Sequence, residues 1–306
     1  VDVSFYGVEK SEKYNQVSAG SPILGSGNPY RFEAIVAPSS AGSVQSATVT
    51  ATGGTPQALA LDPVTGWDTF LAKFPSQSAL DSAAPSGNYS LVVNTLSQGQ
   101  KTLVLSLPQE TFPSAPHISN WAAGQAIDPA ASFTLQWDPV AGATTNDVFF
   151  LLIGDAASGE SVFRSADPFQ PGALNGTATS VVLPTGGLHP ATVYQAQITF
   201  FKVRSVDTTS YPGVAGVVGF GSETDFGLMT TASPVPPEIS AVGYSASGFV
   251  LRLTGQTGRG YIIQYSSDLA HWTDLVNTNI SSTTIELVDP QAASSSVRFY
   301  RAATVN

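Results

Sequence analysis

The sequence of 306 residues contains no cysteine, one methionine and three histidines. Without cysteine the chain forms no disulfides and no thiolate metal sites. Charged residues make up only 11% of the chain, against about a quarter in an ordinary soluble domain. The 12 basic residues are scattered and the formal net charge is -10. The chain therefore lacks the basic face that nucleic acids and anionic membrane surfaces require.

Long apolar runs are also missing. None reaches the roughly 18 to 20 residues that a bilayer-spanning helix needs, so we expect no membrane insertion. Hydrophobic residues nevertheless make up 42% of the chain and aromatic residues 10%, which is enough to bury folded cores. With 28 Gly and 21 Pro, tight turns between strands are favoured over long helices. The predicted class is all-β.

Two proline-marked segments divide the chain, Pro108 to Pro116 and Ser233 to Pro237. Short proline-rich segments act as stiff spacers, and domains of about 100 to 150 residues are the common size. We therefore predict an immunoglobulin-like sandwich at 1–113, a fibronectin type III-like sandwich at 114–234 and a small β domain at 235–306.

In the first unit, apolar residues alternate with polar ones, as in antiparallel sandwich strands with one buried face. The alternating runs are Tyr30 to Val36, Tyr89 to Val93 and Leu103 to Leu107. The segment Pro85-Ser86-Gly87-Asn88-Tyr89-Ser90-Leu91 resembles the tyrosine corner of immunoglobulin-like sandwiches, in which the phenol bonds a nearby backbone group.

In the second unit, Phe133, Leu135 and Trp137 alternate, and Leu188-His189-Pro190-Ala191-Thr192-Val193-Tyr194 follows. These residues resemble a fibronectin type III domain over about 117–232. The resemblance implies that Trp137 packs in the core and that Tyr194 forms the corner. The stretch from about Arg204 to Gly221 is longer than the family pattern, which leaves the conformation of that loop open.

The third unit carries Phe249-x-Leu251-x-Leu253, then Tyr261-x-Ile263 with Trp272, and closes on Arg298-Phe299-Tyr300-Arg301. It resembles a small β domain that recurs at the C-terminal ends of large exported bacterial proteins. This resemblance implies export and a modular chain, and it implies no activity.

Residues that carry catalysis or hold cofactors are sparse. The three histidines lie one to a unit without a ligand nearby in sequence, and no nucleophile elbow, zinc helix or Walker loop occurs. We therefore expect neither an enzyme nor a cofactor. Asp62 and Asp68 bracket a turn that could hold calcium, but two carboxylates are few for an ion that takes six to eight oxygens. A structural turn is the favoured interpretation.

Two apolar segments are candidates for contact with another chain. The first is the loop from Tyr211 to Phe220, with Val214, Val217 and Val218, which is covered either by a partner or by its own sandwich. The second is the N-terminal strand with Val1, Val3 and Phe5, which is either a donated strand or the first strand of its own unit.

Two tryptophans are candidates for stacking on sugar rings. Trp67 lies in a turn and Trp121 follows the first proline segment, and exposed aromatic rings can bind carbohydrate. Burial is the alternative for side chains of this size.

These patterns together favour a non-catalytic extracellular or cell-surface protein with a structural or adhesive role. Partners would be copies of itself, as in a fibre, or other surface proteins. A carbohydrate-binding accessory region of a polysaccharide-degrading system is the alternative. Because the chain starts at Val1 rather than Met, we also expect bacterial export with removal of a signal peptide.

Overall fold

The computed structural model describes residues 1–232 and 236–305, and it confirms the all-β class, with 53% strand and 4% helix. The chain divides into two compact units, Val1–Ala232 and Ser233–Asn306. No helix in the described ranges is long and apolar enough to cross a membrane.

The first part of the larger unit is a sandwich of two sheets. One sheet contains β1, β3, β7 and the short β6, and the other has the order β5-β4-β8-β9. The elements are β1 (Val3–Gln16), β2 (Ile23–Leu24), β3 (Tyr30–Pro38), β4 (Val44–Ala51), β5 (Gln57–Ala58), β6 (Ala60–Leu61), β7 (Asp68–Phe74), α1 (Gln77–Ala83), β8 (Gly87–Thr95) and β9 (Gly99–Leu107).

The second part is also a sandwich. A pair β10-β14 faces a sheet with the order β12-β11-β15-β16, which is the strand arrangement of a fibronectin type III-like domain. The elements are β10 (Phe133–Gln136), β11 (Val148–Asp155), β12 (Ser161–Arg164), β13 (Leu174–Asn175), β14 (Ser180–Leu183), β15 (Val193–Asp207) and β16 (Ala215–Met229). The predicted resemblance of the middle region is thus confirmed.

One strand pairing joins the two sandwiches. Strand β16 runs parallel to β1 over twelve residue pairs, from Phe5 with Ala215 to Gln16 with Phe226. Along its other edge, β1 pairs antiparallel with β3. The result is one ten-stranded sheet, here called the shared sheet, with the central order β12-β11-β15-β16-β1-β3-β7-β6.

The expected separation at Pro113 is therefore wrong as a division between independent bodies, because residues 1–232 form one compact unit. The proline segment does connect two sandwiches, but β15 and β16 are 15 residues each. Their ends reach beyond the second sandwich and lie along the first. The other expected junction, at Pro234, lies outside the described residues.

The segment from about Arg204 to Gly221, here called the arm, contains the end of β15, the turn and the start of β16, and most of its large apolar side chains are buried. Tyr211, Val214, Val218 and Phe220 belong to the core of the first sandwich. The expectation of an exposed contact loop is corrected accordingly. Tyr211, Val214, Val217, Val218 and Phe220 are each at most 2% exposed.

The N-terminal strand is also unavailable for donation to another chain. Val3 and Phe5 are at most 4% exposed, and β1 has a paired neighbour on each edge. Only Val1, at 65% exposed, lies outside this packing. The interpretation of the segment as a strand of its own unit holds, and the interpretation as a partner contact does not.

Both tyrosine corners have the geometry that their sequences suggest. The Tyr89 hydroxyl donates to the Pro85 carbonyl at 2.7 Å, and the Tyr194 hydroxyl accepts from the His189 amide at 2.5 Å. Trp137 is 2% exposed and packs in the second core. Its indole donates to the Ala178 carbonyl at 2.8 Å, so its one polar atom is satisfied.

The smaller unit consists of two three-stranded sheets, β17-β18-β21 and β20-β19-β22. Its core contains Leu251, Leu253, Tyr261, Ile263 and Ile280. The strands are β17 (Glu238–Ser245), β18 (Gly248–Thr254), β19 (Gly260–Ser266), β20 (Thr273–Asn279), β21 (Thr284–Asp289) and β22 (Phe299–Val305).

The first sandwich should not fold without the arm. A fragment of residues 1–113 lacks Tyr211, Val214, Val218 and Phe220, which lie in its core. Each large apolar side chain contributes about 1.5 to 3 kcal/mol on burial, and whole domains are stable by only about 5 to 15 kcal/mol. We expect dispersed amide NMR spectra for residues 1–232 and collapsed spectra for 1–113. A 1–113 fragment with a sharp thermal transition would contradict the fused fold.

Trp137→Ala should destabilise residues 1–232 as one body, by about 3 to 5 kcal/mol. Tyr194→Phe removes the acceptor for the His189 amide and should cost about 1 kcal/mol. Urea unfolding of the full chain measures both, with Tyr244→Phe as the control because Tyr244 is 69% exposed. If only one half of residues 1–232 unfolded at lower urea concentration in Trp137→Ala, the two sandwiches would not unfold cooperatively.

Candidate functional site

A cavity lies on the outer face of the shared sheet, the face turned away from the two sandwich cores. Its volume is about 370 Å³. Strands from both sandwiches form its floor, and two connecting segments form its roof. The strand residues that line the cavity include Glu9, Ser11, Lys13, Arg31, Glu33, Leu71, Lys73, Phe150, Gln197, Thr199 and Glu223.

Strand alternation puts polar residues on this outer face. In β1 the even-numbered residues Tyr6 and Val8 enter the core of the first sandwich, while Glu9 lines the cavity. A bulge between Val3 and Phe5 resets the alternation at the start of the strand, so Val3 packs inward and Phe5 outward. The outer face thus carries charged residues where the inner face carries apolar ones.

An ion network centred on Glu223 ties four strands together. The Lys13 ammonium lies 2.8 Å from one Glu223 carboxylate oxygen and 2.6 Å from Asp225. The Arg31 guanidinium lies 2.8 Å from the other Glu223 oxygen, which also accepts from the Gln197 amide. Since these groups come from β1, β3, β15 and β16, the network spans the junction between the two sandwiches.

Glu9 and Glu33 form a second feature of the floor. They are direct cross-strand partners in the antiparallel pair of β1 and β3, where α-carbons lie about 4.5 to 5.5 Å apart. Neither carboxylate lies within ion-pairing distance of a cation in the described part of the chain. Like charges placed directly opposite each other are destabilising.

Burial is the main cause of the altered acidity of this pair. It raises the pKa of Glu33 to about 7, with a further contribution from the Glu223 carboxylate. Burial likewise raises the pKa of Glu9 well above its ordinary value, and the neighbouring Glu33 and Glu223 add to the effect. The two carboxyls therefore keep protons at pH values at which free glutamates are already ionised.

The roof is an aromatic contact between the two sandwiches. Trp67 packs against Phe5 and Phe150, each with ring centroids 5.1 Å from its own. The Arg164 guanidinium lies 5.4 Å from the centroids of both Trp67 and Phe150 and donates to the Thr65 carbonyl at 2.5 Å. Phe169 joins this cluster beside Phe5.

The predicted sugar-stacking role of Trp67 is therefore wrong, because Trp67 is 8% exposed and its ring is covered by other side chains. Its indole nitrogen has no hydrogen-bond partner among the described residues. Trp121 is partly buried against the core of the second sandwich. The two tryptophans lie in different clusters and form no joint platform.

Asp62 stabilises a turn. Its carboxylate accepts from the Val64 amide at 3.0 Å and the Thr65 hydroxyl at 2.7 Å, and Gly66 follows with a φ of 74°. Burial raises the pKa of Asp68, and Asp68 pairs with Val36 and Leu61 at the start of β7. No cluster of three or more potential metal ligands occurs within residues 1–232 and 236–305.

The candidate site was missed from sequence, although a signal was present. Glu9-Lys10-Ser11-Glu12-Lys13 is dense in charge for a chain with 11% charged residues. Alternation would assign Glu9 and Lys13 to one face and Lys10 and Glu12 to the other. Alternation does not show which strands lie beside β1. Glu33 and Glu223 are brought next to Glu9 and Lys13 only by the pairings of β1 with β3 and β16.

Comparisons with known proteins give only weak structural similarities. No protein-family model matches the sequence. No curated protein matches it either. Among solved structures, the FN1–FN3 domains of chicken CNTN1 are similar, with 12% identity and a TM-score of 0.27 over 90% of this chain and 89% of that one.

Two further structures cover nearly the whole chain. The BSP domain of a biofilm-associated protein has 10% identity and a TM-score of 0.23, over 100% of this chain and 64% of that one. A tetra-tandem repeat in the extending region of a large adhesion protein has 9% identity and a TM-score of 0.23, over 98% and 74%. Likenesses this weak leave the functional argument to the site itself.

The Glu9 and Glu33 pair should make stability depend on pH. Folded Glu33 has a pKa of about 7, against an ordinary 4.5, so the folded chain binds more protons between these values. Stability should therefore fall as pH rises through this window, with Glu33 alone contributing roughly 3 kcal/mol. We expect urea unfolding of residues 1–232 to show a flatter pH dependence in Glu33→Gln, and higher stability than wild type at pH 8.

Glu160→Gln provides the control, because Glu160 is exposed on the second sandwich. It should leave the pH dependence unchanged. Equal pH dependence in wild type and Glu33→Gln would show that the Glu33 carboxyl ionises as it does in the unfolded chain.

Proposed function

We propose that this chain is a non-catalytic extracellular or cell-surface protein with a structural or adhesive role, in which residues 1–232 form a rigid, load-bearing module. The observation that carries the proposal is the parallel pairing of β1 with β16 over twelve residue pairs. This pairing makes one body from two sandwiches that a linker alone would leave free to move relative to each other.

The direction of the two strands suits a chain under tension. Pull applied at the start of β1 and the end of β16 acts along the strands, since they are parallel and lie near the two ends of the unit Val1–Ala232. The interstrand hydrogen bonds then share the load instead of opening one after another. The ion network of Lys13, Arg31 and Glu223 crosses the same junction.

Self-assembly into a fibre could not use the segments that the sequence suggested. The expected donor strand and loop are buried within the folded chain, so they are not free to join another copy. Assembly would require the arm of β15 and β16 to pair with β1 of a neighbouring chain. Sedimentation of the native chain at high concentration distinguishes monomers from such exchanged oligomers.

Export and surface location are also part of the proposal. They rest on the modular sandwich architecture, the absence of cysteine and the low content of charged residues. Antibody labelling of intact and permeabilised source cells tests them. Labelling only after permeabilisation would oppose a surface role.

Single-molecule pulling tests the mechanical role. With handles at both ends of residues 1–232, we expect one unfolding event that releases roughly 800 Å of chain, at about 3.5 Å per residue. Gly216→Ala should lower the force, because its new Cβ would lie 2.4 Å from the Tyr6 ring. Gly227→Ala on the same strand is the matched control, since its nearest neighbour lies at 3.9 Å.

Two separate events, each releasing about half of that length, would contradict the proposal. So would a single event whose force is the same in Gly216→Ala and in wild type.

A further inference from the structure

We propose that the outer-face cavity binds a small organic amine, with its ammonium group held between the carboxylates of Glu9 and Glu33. This inference goes beyond the structural role, because a load-bearing module needs no such site. It rests on the placement of uncompensated acids, on the walls of the cavity and on its size.

The first step is the assignment of charges at the floor. Lys13 and Arg31 are already bound to Glu223 and Asp225. Asp62 is satisfied by its own turn, and Lys73 is exposed at the rim. Glu9 and Glu33 are thus left facing the cavity without a paired cation, and a ligand ammonium supplies the missing charge and up to three hydrogen-bond donors.

The second step is the apolar part of the cavity lining. Trp67, Phe150 and Phe169 line the cavity together with Leu71, so the body of the ligand meets apolar surface. Arg164 already lies over the rings of Trp67 and Phe150. The ligand cation is therefore directed to the carboxylates and not to the aromatic faces.

The ligand class that fits both the two acids and the apolar lining is a small amine with an apolar body.

The dimensions suit such a molecule. The volume of about 370 Å³ falls within the range of roughly 300 to 1,000 Å³ found for small-molecule sites. Val64 and Leu71 are 52% and 41% exposed and both line the cavity, so solvent reaches it from their side.

Binding should be linked to proton release. The charged groups that act on Glu33 are Glu9 from β1, Arg31 from β3, Lys73 from β7, Asp62 from the turn and Glu223 from β16. With Glu33 half protonated near pH 7, an arriving ammonium must displace protons from the pair. Affinity should therefore rise with pH between 6 and 8, where alkylammonium groups stay charged.

The test is calorimetric titration of the full chain with 2-amino-1-phenylethanol. Its matched probe is 1-phenylethane-1,2-diol, in which a hydroxyl replaces the ammonium. We expect the amine to bind at least tenfold more tightly than the diol at pH 7.5. We also expect binding heats that change with the ionisation enthalpy of the buffer, as proton release requires.

Variants locate the site. Glu33→Gln and Glu9→Gln should each weaken amine binding at least tenfold and reduce proton release, while Glu160→Gln should do neither. Because Glu33→Gln is expected to be as stable as wild type or more so, its loss of binding would not reflect unfolding. Equal affinity for amine and diol, or unchanged binding in both glutamine variants, would overturn the proposal whatever the pulling experiments show.

Discussion

The parallel ladder between β1 and β16 is the constraint on which the rest of the larger unit depends. It brings Tyr211, Val214, Val218 and Phe220 into the first core and gives β1 its second neighbour. It also aligns Lys13 with Glu223 on the outer face. Without this ladder the first sandwich would have an open core and the cavity would lose half of its floor.

The pairing along the other edge of β1 explains why an unfavourable pair of acids persists. Glu9 is opposite Glu33 because the register of β1 with β3 places them so. That register also puts Phe32, Ala34 and Val36 into the core. A shift by one residue would relieve the acids but expose those apolar side chains, since alternation moves every side chain to the other face. The core therefore sets the register, and the carboxyls respond by holding protons.

Much of the fold follows from local patterns. The corners at Tyr89 and Tyr194 and the buried Trp137 were predictable because each depends on residues close in sequence or on alternation within one strand. The arm was not. The apolar run from Tyr211 to Phe220 has the same pattern whether its own sandwich, the neighbouring sandwich or another chain covers it. The choice among these depends on strand partners more than 200 residues apart, which alternation does not encode. The same holds for the cavity, whose roof forms only where Trp67 meets Phe150 and Arg164.

The distance between the partners in this ladder has a consequence for how the molecule comes into being. Phe5 pairs with Ala215, which is synthesised about 210 positions later in the chain. At translation rates of about 5 to 20 residues per second, β1 spends roughly 10 to 40 seconds without β16. During that interval the edge of β1 and part of an apolar core are open to the wrong neighbour. The newly made chain is thus most vulnerable to aggregation in its first half. Its native fold is completed only when β16, made late in synthesis, pairs with β1 at the N-terminus.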